Sequence, residues 1–316
     1  MKIRKRVCLS VLILCSVFGS VGVFAKDLNI AVTMSTFDDN FRTLLRMGMI
    51  EHARDLSIDL QVEDAKNELG TQLNQIQNFI ASGVDGIIVN AVDTNSTIGI
   101  SQEAKAAGIP LVYVNTQPIN LVSLPASQAY VGSNEVDSGT LQAKEICRQL
   151  NGKGQIAVLM GGLSHFAAIQ RTKDVHDVVA TPECSGMKVV EEQTANWVRS
   201  EANNVVTNWV SSGIPLDAIL ANNDEMAIGA IQALKTRAVG ASPVLVAGID
   251  ATADGLSAMK SGELAVTVFQ DAKAQGQGAL HTVIKLVKGE PVNQTVWVPF
   301  KLVTPDNMET FNTDNL

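Results

Sequence analysis

Between residues 28 and 115 the chain repeats one rhythm. A short, wholly apolar run is followed by a longer segment in which apolar side chains return every three or four residues. Apolar runs of four to six residues read as strands buried on both faces, and the 3.6-residue period reads as helices with one apolar stripe. The pattern predicts strands at 28–33, 58–62, 86–90 and 111–115, and helices at 41–56, 69–82 and 95–107. In the first helix Phe41, Leu44, Leu45, Met49 and Ala53 share a face. Residues 116–129 break the rhythm; they carry Pro118 and Pro125 and no helical period. A short strand at 129–132 follows. The alternation restarts with helix 136–150, strand 155–160, helix 166–180, strand 187–192, helix 200–212, strand 217–220, helix 224–236 and strand 244–249. The tail adds strand 264–269, helix 272–287 and strand 296–298. Such alternation means parallel sheets covered on both faces by helices, an α/β fold, and the restart near Ser133 points to a second lobe. The pattern leaves open whether the tail extends the second lobe or returns to the first.

The first residues do not belong to this rhythm. Lys2, Arg4, Lys5 and Arg6 precede an apolar run at 7–18, and Val23-Phe24-Ala25 offers small residues for cleavage. Residues 1–25 therefore read as a secretory leader, with Lys26 as the mature start of an exported chain. Cys15 raises a lipid anchor, but bulky Leu14 stands where a small residue is expected. Removing a leader with four basic and no acidic residues takes the net charge from −8 to −12. A chain this acidic repels phosphate backbones, which excludes nucleic acid as a partner. Apolar residues make up 46% and charged residues 18%, enough for a sizeable core. Of four cysteines, Cys147 and Cys184 survive cleavage, both near predicted helix ends. An even count in an exported chain favours a disulfide over two buried thiols.

Candidate chemistry gathers at the carboxyl ends of the strands, where open α/β sheets bind ligands. After the first strand comes Thr36-Phe37-Asp38-Asp39-Asn40-Phe41; after the fourth, Asn115-Thr116-Gln117. The second half supplies Gly161-Gly162-Leu163-Ser164-His165 with Arg171 beyond it, Asn196-Trp197, Asn222-Asn223-Asp224-Glu225, Ile249-Asp250, and Gln270. Each group alone reads equally well as a helix cap or a polar strand end. Together they supply carboxylate, amide, guanidinium and aromatic faces, the set that a polyhydroxylated ring needs, since each hydroxyl both donates and accepts. In the 222–225 knot, Asn223 reads as a site residue, and Asp224 and Glu225 as cap and dipole partners of the helix that follows.

The stretches NNDEMAIGAIQAL (222–234), AGID with ADG (247–255) and VTVFQDAKAQG (266–276) resemble periplasmic sugar-binding proteins of the ribose, galactose and inositol type, which serve ABC transporters. The resemblance covers the mature chain. It implies two Rossmann-like lobes joined by three crossings, with residues 26–133 plus 271–299 in one lobe and 134–270 plus 300–316 in the other. It also implies ligand contacts from Asn223, Asp250 and Gln270. Asp-Asp-Asn-Phe at 38–41 is similar to galactose and glucose receptors and nominates Asp39 and Phe41. His165, Arg171, Asn115 and the stacking Trp197 match contact positions in the same relatives. Ribose receptors carry two adjacent Phe in the first loop; here Arg42 follows Phe41. Asn151-Gly152-Lys153-Gly154 replaces the Asp-rich calcium loop of galactose receptors, so no metal is expected there. Thr116 stands where related chains often place Lys or Arg, so a charged contact is either missing or supplied elsewhere. Ala167 replaces a contacting Asp, which argues against galactose and glucose. VYVN at 112–115, QTANW at 193–197 and NNDEM look most like the myo-inositol branch, which includes rhizopine binders.

The expected function is reversible capture of a cyclitol or monosaccharide, myo-inositol first, by a monomer that hands it to a membrane permease. Galactose, glucose or ribose are the alternatives. No cofactor and no catalytic residue are expected. An exported sugar-modifying enzyme is the competing class, but the chain lacks a Gly-x-Ser-x-Gly elbow, a His-Glu-x-x-His pair and a P-loop. A transcription regulator would begin with a DNA-binding helix-turn-helix rather than a leader. Presentation to a chemoreceptor is a further role that leaves no mark on the sequence.

Overall fold

The computed structural model describes residues 28–236 and 242–311. The expected leader at 1–25, its Cys15 and the last five residues of the tail lie outside them. The first lobe runs β1 (Asn29–Met34), α1 (Asn40–Asp55), β2 (Asp59–Asp64), α2 (Leu69–Ser82), β3 (Gly86–Val89), α3 (Thr97–Ala107), β4 (Leu111–Val114) and β5 (Gln128–Gly132). The chain then crosses into α4 (Glu135–Gln149), β6 (Lys153–Met160), α5 (Phe166–Val179), β7 (Gly186–Thr194), α6 (Arg199–Ser211), β8 (Ala218–Ala221), α7 (Asp224–Leu234), β9 (Leu245–Ala247), α8 (Ala253–Lys260) and β10 (Thr267–Phe269). It returns as α9 (Ala272–Val287) and β11 (Thr295–Trp297), and crosses a last time into β12 (Lys301–Val303).

The first sheet has the order β11-β5-β4-β3-β1-β2, and every pair in it is parallel. The second has the order β7-β6-β8-β9, also parallel. Parallel bridges Ala247↔Val266 and Asp250↔Phe269 carry the second sheet on to β10, and β12 closes its edge antiparallel to β10. The tail therefore does both things the pattern left open: α9 and β11 complete the first lobe, and β12 rejoins the second. Three crossings join the lobes, as the resemblance implied.

The strands read as apolar runs because both faces are covered. Ile30, Ala31, Val32, Ile87, Ile88 and Val89 are all fully buried. α9 is held on the first lobe by close helix contact. A Cβ on Gly276 would stand 2.5 Å from the Leu45 carbonyl oxygen, and one on Gly48 would stand 3.0 Å from the Lys273 Cα. Only glycine lets α1 and α9 approach this closely, and Leu45, Met49, Leu280 and Val283 fill the seam. Cys147 on α4 is bonded to Cys184 in the 3-10 turn after α5. Two elements were not foreseen, α8 and β12. At eight and three residues they are too short for a period to register. The expected strand at 264–269 is ladder-paired only from Thr267 onward.

Candidate functional site

The two sheets point their carboxyl ends at each other, and the loops leaving those ends meet. All nine nominated residues (Asp39, Phe41, Asn115, His165, Arg171, Trp197, Asn223, Asp250 and Gln270) line one cavity. Arg42, Thr116, Glu135 and Ala167 complete the wall.

In the first lobe, Asp39 is the N-cap of α1. One carboxylate oxygen accepts from the Arg42 backbone N–H at 2.6 Å, and the other is paired with the Arg42 guanidinium. Capping and cavity lining are thus combined in one side chain. Phe41 lies in the first turn, buried against the core. Asn115 ends β4 with a left-handed φ of 63°, a conformation Asn tolerates. Its side-chain oxygen accepts from Asn90 Nδ2 at 3.3 Å, and its carbonyl accepts from the Tyr130 hydroxyl at 2.9 Å. Asn90, fully buried behind it, also donates to Thr116 Oγ1 at 3.1 Å.

In the second lobe, Asn196 and Trp197 both have left-handed φ values, 51° and 71°, which swing the indole over Gly161. A Cβ at position 161 would fall 2.1 Å from the indole ring, so glycine is required there. Trp197 Nε1–H donates to His165 Nδ1 at 2.9 Å. With Nδ1 accepting, the ring proton is on Nε2, which donates to the Val92 carbonyl at 2.9 Å. Burial, with help from the Arg42 charge, pushes the His165 pKa down to about 4. His165 was expected to satisfy a ligand hydroxyl. Both its ring nitrogens are instead taken by protein, so it offers the cavity only its face.

Arg171 is a buried hub. Its Nε donates to Glu135 Oε2 at 2.7 Å, and one Nη donates to the Asn222 carbonyl at 2.7 Å. The other Nη reaches Gln270 Oε1 at 3.5 Å. Asn223 caps α7 through Oδ1, which accepts the Met226 N–H at 3.0 Å, leaving Nδ2 near the Trp197 carbonyl. Asp250 is 5% exposed and stands on the cavity wall. Burial foremost, with the charges of Asp224, Asp39 and Glu135, raises its carboxyl well above the ordinary range, while Arg171 opposes this. Among the described residues, two buried N–H donors of the cavity wall, Arg42 Nε and Gln270 Nε2, have no partner. Buried polar groups are rarely left so. Donors and a carboxyl on the wall of one cavity are a complement to a ligand that both donates and accepts.

Asp224 corrects the reading of the 222–225 knot. It is fully buried and accepts from Thr252 N at 2.8 Å, Thr252 Oγ1 at 3.1 Å and Thr267 Oγ1 at 2.7 Å. Burial pushes its pKa up to about 7. It is therefore the anchor of the turn that presents Asp250 rather than a surface partner of the helix dipole. Glu225 is a bridge. It pairs with Arg199 at 2.8 Å and accepts from Asn40 Nδ2, across the cleft, at 2.8 Å. On the opposite rim Thr94 N donates to the Ser164 carbonyl at 3.0 Å, beside the His165–Val92 bond. Both rims are joined, so the lobes stand closed.

Two wall residues escaped the sequence reading. Arg42 was noted only as a departure from ribose receptors. Glu135 sits in the first turn of α4, where an acid is ordinarily a dipole partner.

Two hinged α/β lobes shut over a polar cavity at their strand ends define a solute-binding protein of the type that works by closure. The chain belongs to the periplasmic binding proteins: the periplasmic binding protein domain matches residues 30–291. A candidate rhizopine-binding protein of Rhizobium meliloti is 55% identical over 93% of this chain and 96% of its own. A xylitol-binding protein of Mycolicibacterium smegmatis is 35% identical over 85% of this chain and 75% of its own. An ABC transporter solute-binding protein of Bacillus halodurans C-125, solved with bound myo-inositol, is 40% identical. It superposes with a TM-score of 0.85 over 91% of this chain and 98% of its own.

Proposed function

We propose that the mature chain captures one cyclitol or monosaccharide ring, with myo-inositol the best match, and delivers it to an ABC permease. The observation that carries this reading is the cavity between the lobes whose wall holds the buried donors Arg42 Nε and Gln270 Nε2, without partners among the described residues, beside the buried Asp250 carboxyl. The myo-inositol bound to the Bacillus halodurans relative supports the choice of ring. Trp197 and Phe41 cover the ring faces. Asp39, Asp250, Asn115, Asn223, Gln270 and Arg171 meet its hydroxyls, while His165 holds Trp197 and the first lobe in place. Because contacts come from both lobes, the ligand favours the closed form by its differential affinity for that form. The protein binds and releases without turnover, as a periplasmic monomer freed of residues 1–25. The lobe boundaries fall at the three crossings, giving 26–133 plus 271–299 and 134–270 plus 300–316.

A thermal-shift screen of the purified mature chain against cyclitols and aldoses tests this. A rise in melting temperature with myo-inositol, and none with galactose or ribose, is expected. A shift with an aldose alone transfers the site to that sugar, and product formation would move the chain to the enzyme class.

A further inference from the structure

Arg42 stands where a helix disfavours a cation. It lies in the first turn of α1, whose exposed N–H groups carry partial positive charge. Its N-cap neighbour Asp39 offsets this by accepting both the Arg42 backbone N–H and a guanidinium N–H. A surface arginine so placed would need no explanation, but this side chain is only 12% exposed. Its Nε–H is buried without a partner, and the residue lines the cavity. Asp39 answers one guanidinium N–H, and the buried Nε–H, still without a partner among the described residues, points to a partner that arrives later.

We propose that Arg42 is a specificity-determining residue: its free N–H groups donate to a ligand oxygen while adjacent Asp39 accepts from the neighbouring hydroxyl. The pair thereby reads two adjacent hydroxyls on the ring edge that faces the first lobe. This rests on the capture of a ring polyol proposed above. Each Asp39 oxygen takes one donor from Arg42 and keeps a lone pair for the ligand. The planar fork of the guanidinium can hold Asp39 and a ligand oxygen together, which a lysine ammonium cannot do in the same geometry. A ring lacking either hydroxyl leaves a buried group unpaired, and that is how a polar site rejects a near-isostere.

The test is calorimetric titration of the mature chain, Arg42→Met and Arg42→Lys with myo-inositol and with each monodeoxy-inositol. Arg42→Met keeps the apolar stem and should bind myo-inositol about tenfold to a hundredfold more weakly than the parent. For the deoxy isomer that lacks the oxygen read by Arg42, parent and Arg42→Met should agree within about twofold. Arg42→Lys should remain at least about tenfold weaker than the parent on myo-inositol. Equal losses on every deoxy isomer would reduce Arg42 to a support for Asp39 and overturn the inference. An Arg42→Met that binds like the parent, while Trp197→Ala loses affinity, removes Arg42 from recognition and leaves the capture reading standing. A parent chain that binds no cyclitol overturns both.

Discussion

Glu135→Gln changes one oxygen to an amide and removes one charge from the site. The carboxylate it replaces is 2% exposed and pairs at 2.7 Å with Arg171, itself 4% exposed. Breaking a buried pair by neutralising one partner leaves the other charge stranded, a loss of about 3–5 kcal/mol. Here a second carboxylate can respond. Asp250 is held toward its acid form by burial first and in part by the charge of Glu135, with Arg171 pulling the other way. Without Glu135, Asp250 ionises more readily and takes over part of the Arg171 charge. The net loss should therefore be about 2–4 kcal/mol. In a chain of this size that lowers the melting temperature of the ligand-free protein by roughly 5–10 °C. Affinity should fall as well, by about tenfold, because an Asp250 turned to Arg171 is no longer free for a ligand hydroxyl. The assays are a melting curve without ligand and a titration with myo-inositol. The double variant Glu135→Gln/Arg171→Met, which leaves no stranded charge, should melt above Glu135→Gln. A melting temperature within about 1 °C of the parent for Glu135→Gln would refute the claim that the pair carries buried charge.

The remaining predictions concern the stacking face, the latch and the disulfide. Trp197→Ala should weaken ligand binding at least tenfold, since ring stacking and packing contribute about 1 kcal/mol or more and the His165 Nδ1 acceptor is left unpartnered. Calorimetry checks it, and unchanged affinity removes the indole from the site. His165 has a depressed pKa of about 4 against an ordinary 6.5, so the closed form holds fewer protons than a form with the ring exposed. Its stabilising contribution is complete above 6.5 and is lost as pH falls toward 4. Arg42 and Arg171 push the ring neutral, while Asp93 and the Val92 carbonyl work against them. Parent affinity should drop by up to about thirtyfold between roughly pH 7 and pH 5, and His165→Asn should flatten that slope. Asp250 titrates in both proteins, so the difference between the two profiles is the readout, and parallel profiles would contradict the latch. Cys147→Ser/Cys184→Ser opens a loop with a separation of 37 residues. Chain entropy puts its contribution near 4 kcal/mol, measurable by urea unfolding. Affinity should stay unchanged, because Cys147 is about 18 Å along α4 from Glu135 at the cavity.

The α/β alternation was legible because strands buried on both faces are written as unbroken apolar runs, as at 86–89. α8 and β12 were not, since their few residues take their form from the elements they pack on. The candidate site was legible where polar residues and strand ends coincide. Asn115, Trp197, Asn223, Asp250 and Gln270 each follow a strand, and parallel sheets bring all such ends to one side. What escaped was decided by contacts far apart in the chain. Glu135 and Asp224 share one local pattern, an acid in a helix's first turn, which describes a surface dipole partner equally well. Only Arg171, 36 residues on, and Thr252 and Thr267, 28 and 43 residues on, make them buried. Both ring nitrogens of His165 are held by Val92 and Trp197, 73 and 32 residues away, which no local pattern shows. Arg42 breaks the dipole preference, and that breach was the one local sign of its place in the wall.

Capture of a cyclitol ring between the lobes is tested most directly by titrating myo-inositol into the purified mature chain beside Trp197→Ala. The account predicts one saturable site per chain in the parent and at least about tenfold weaker binding in the variant. No binding in the parent, or equal binding in the two, would contradict it.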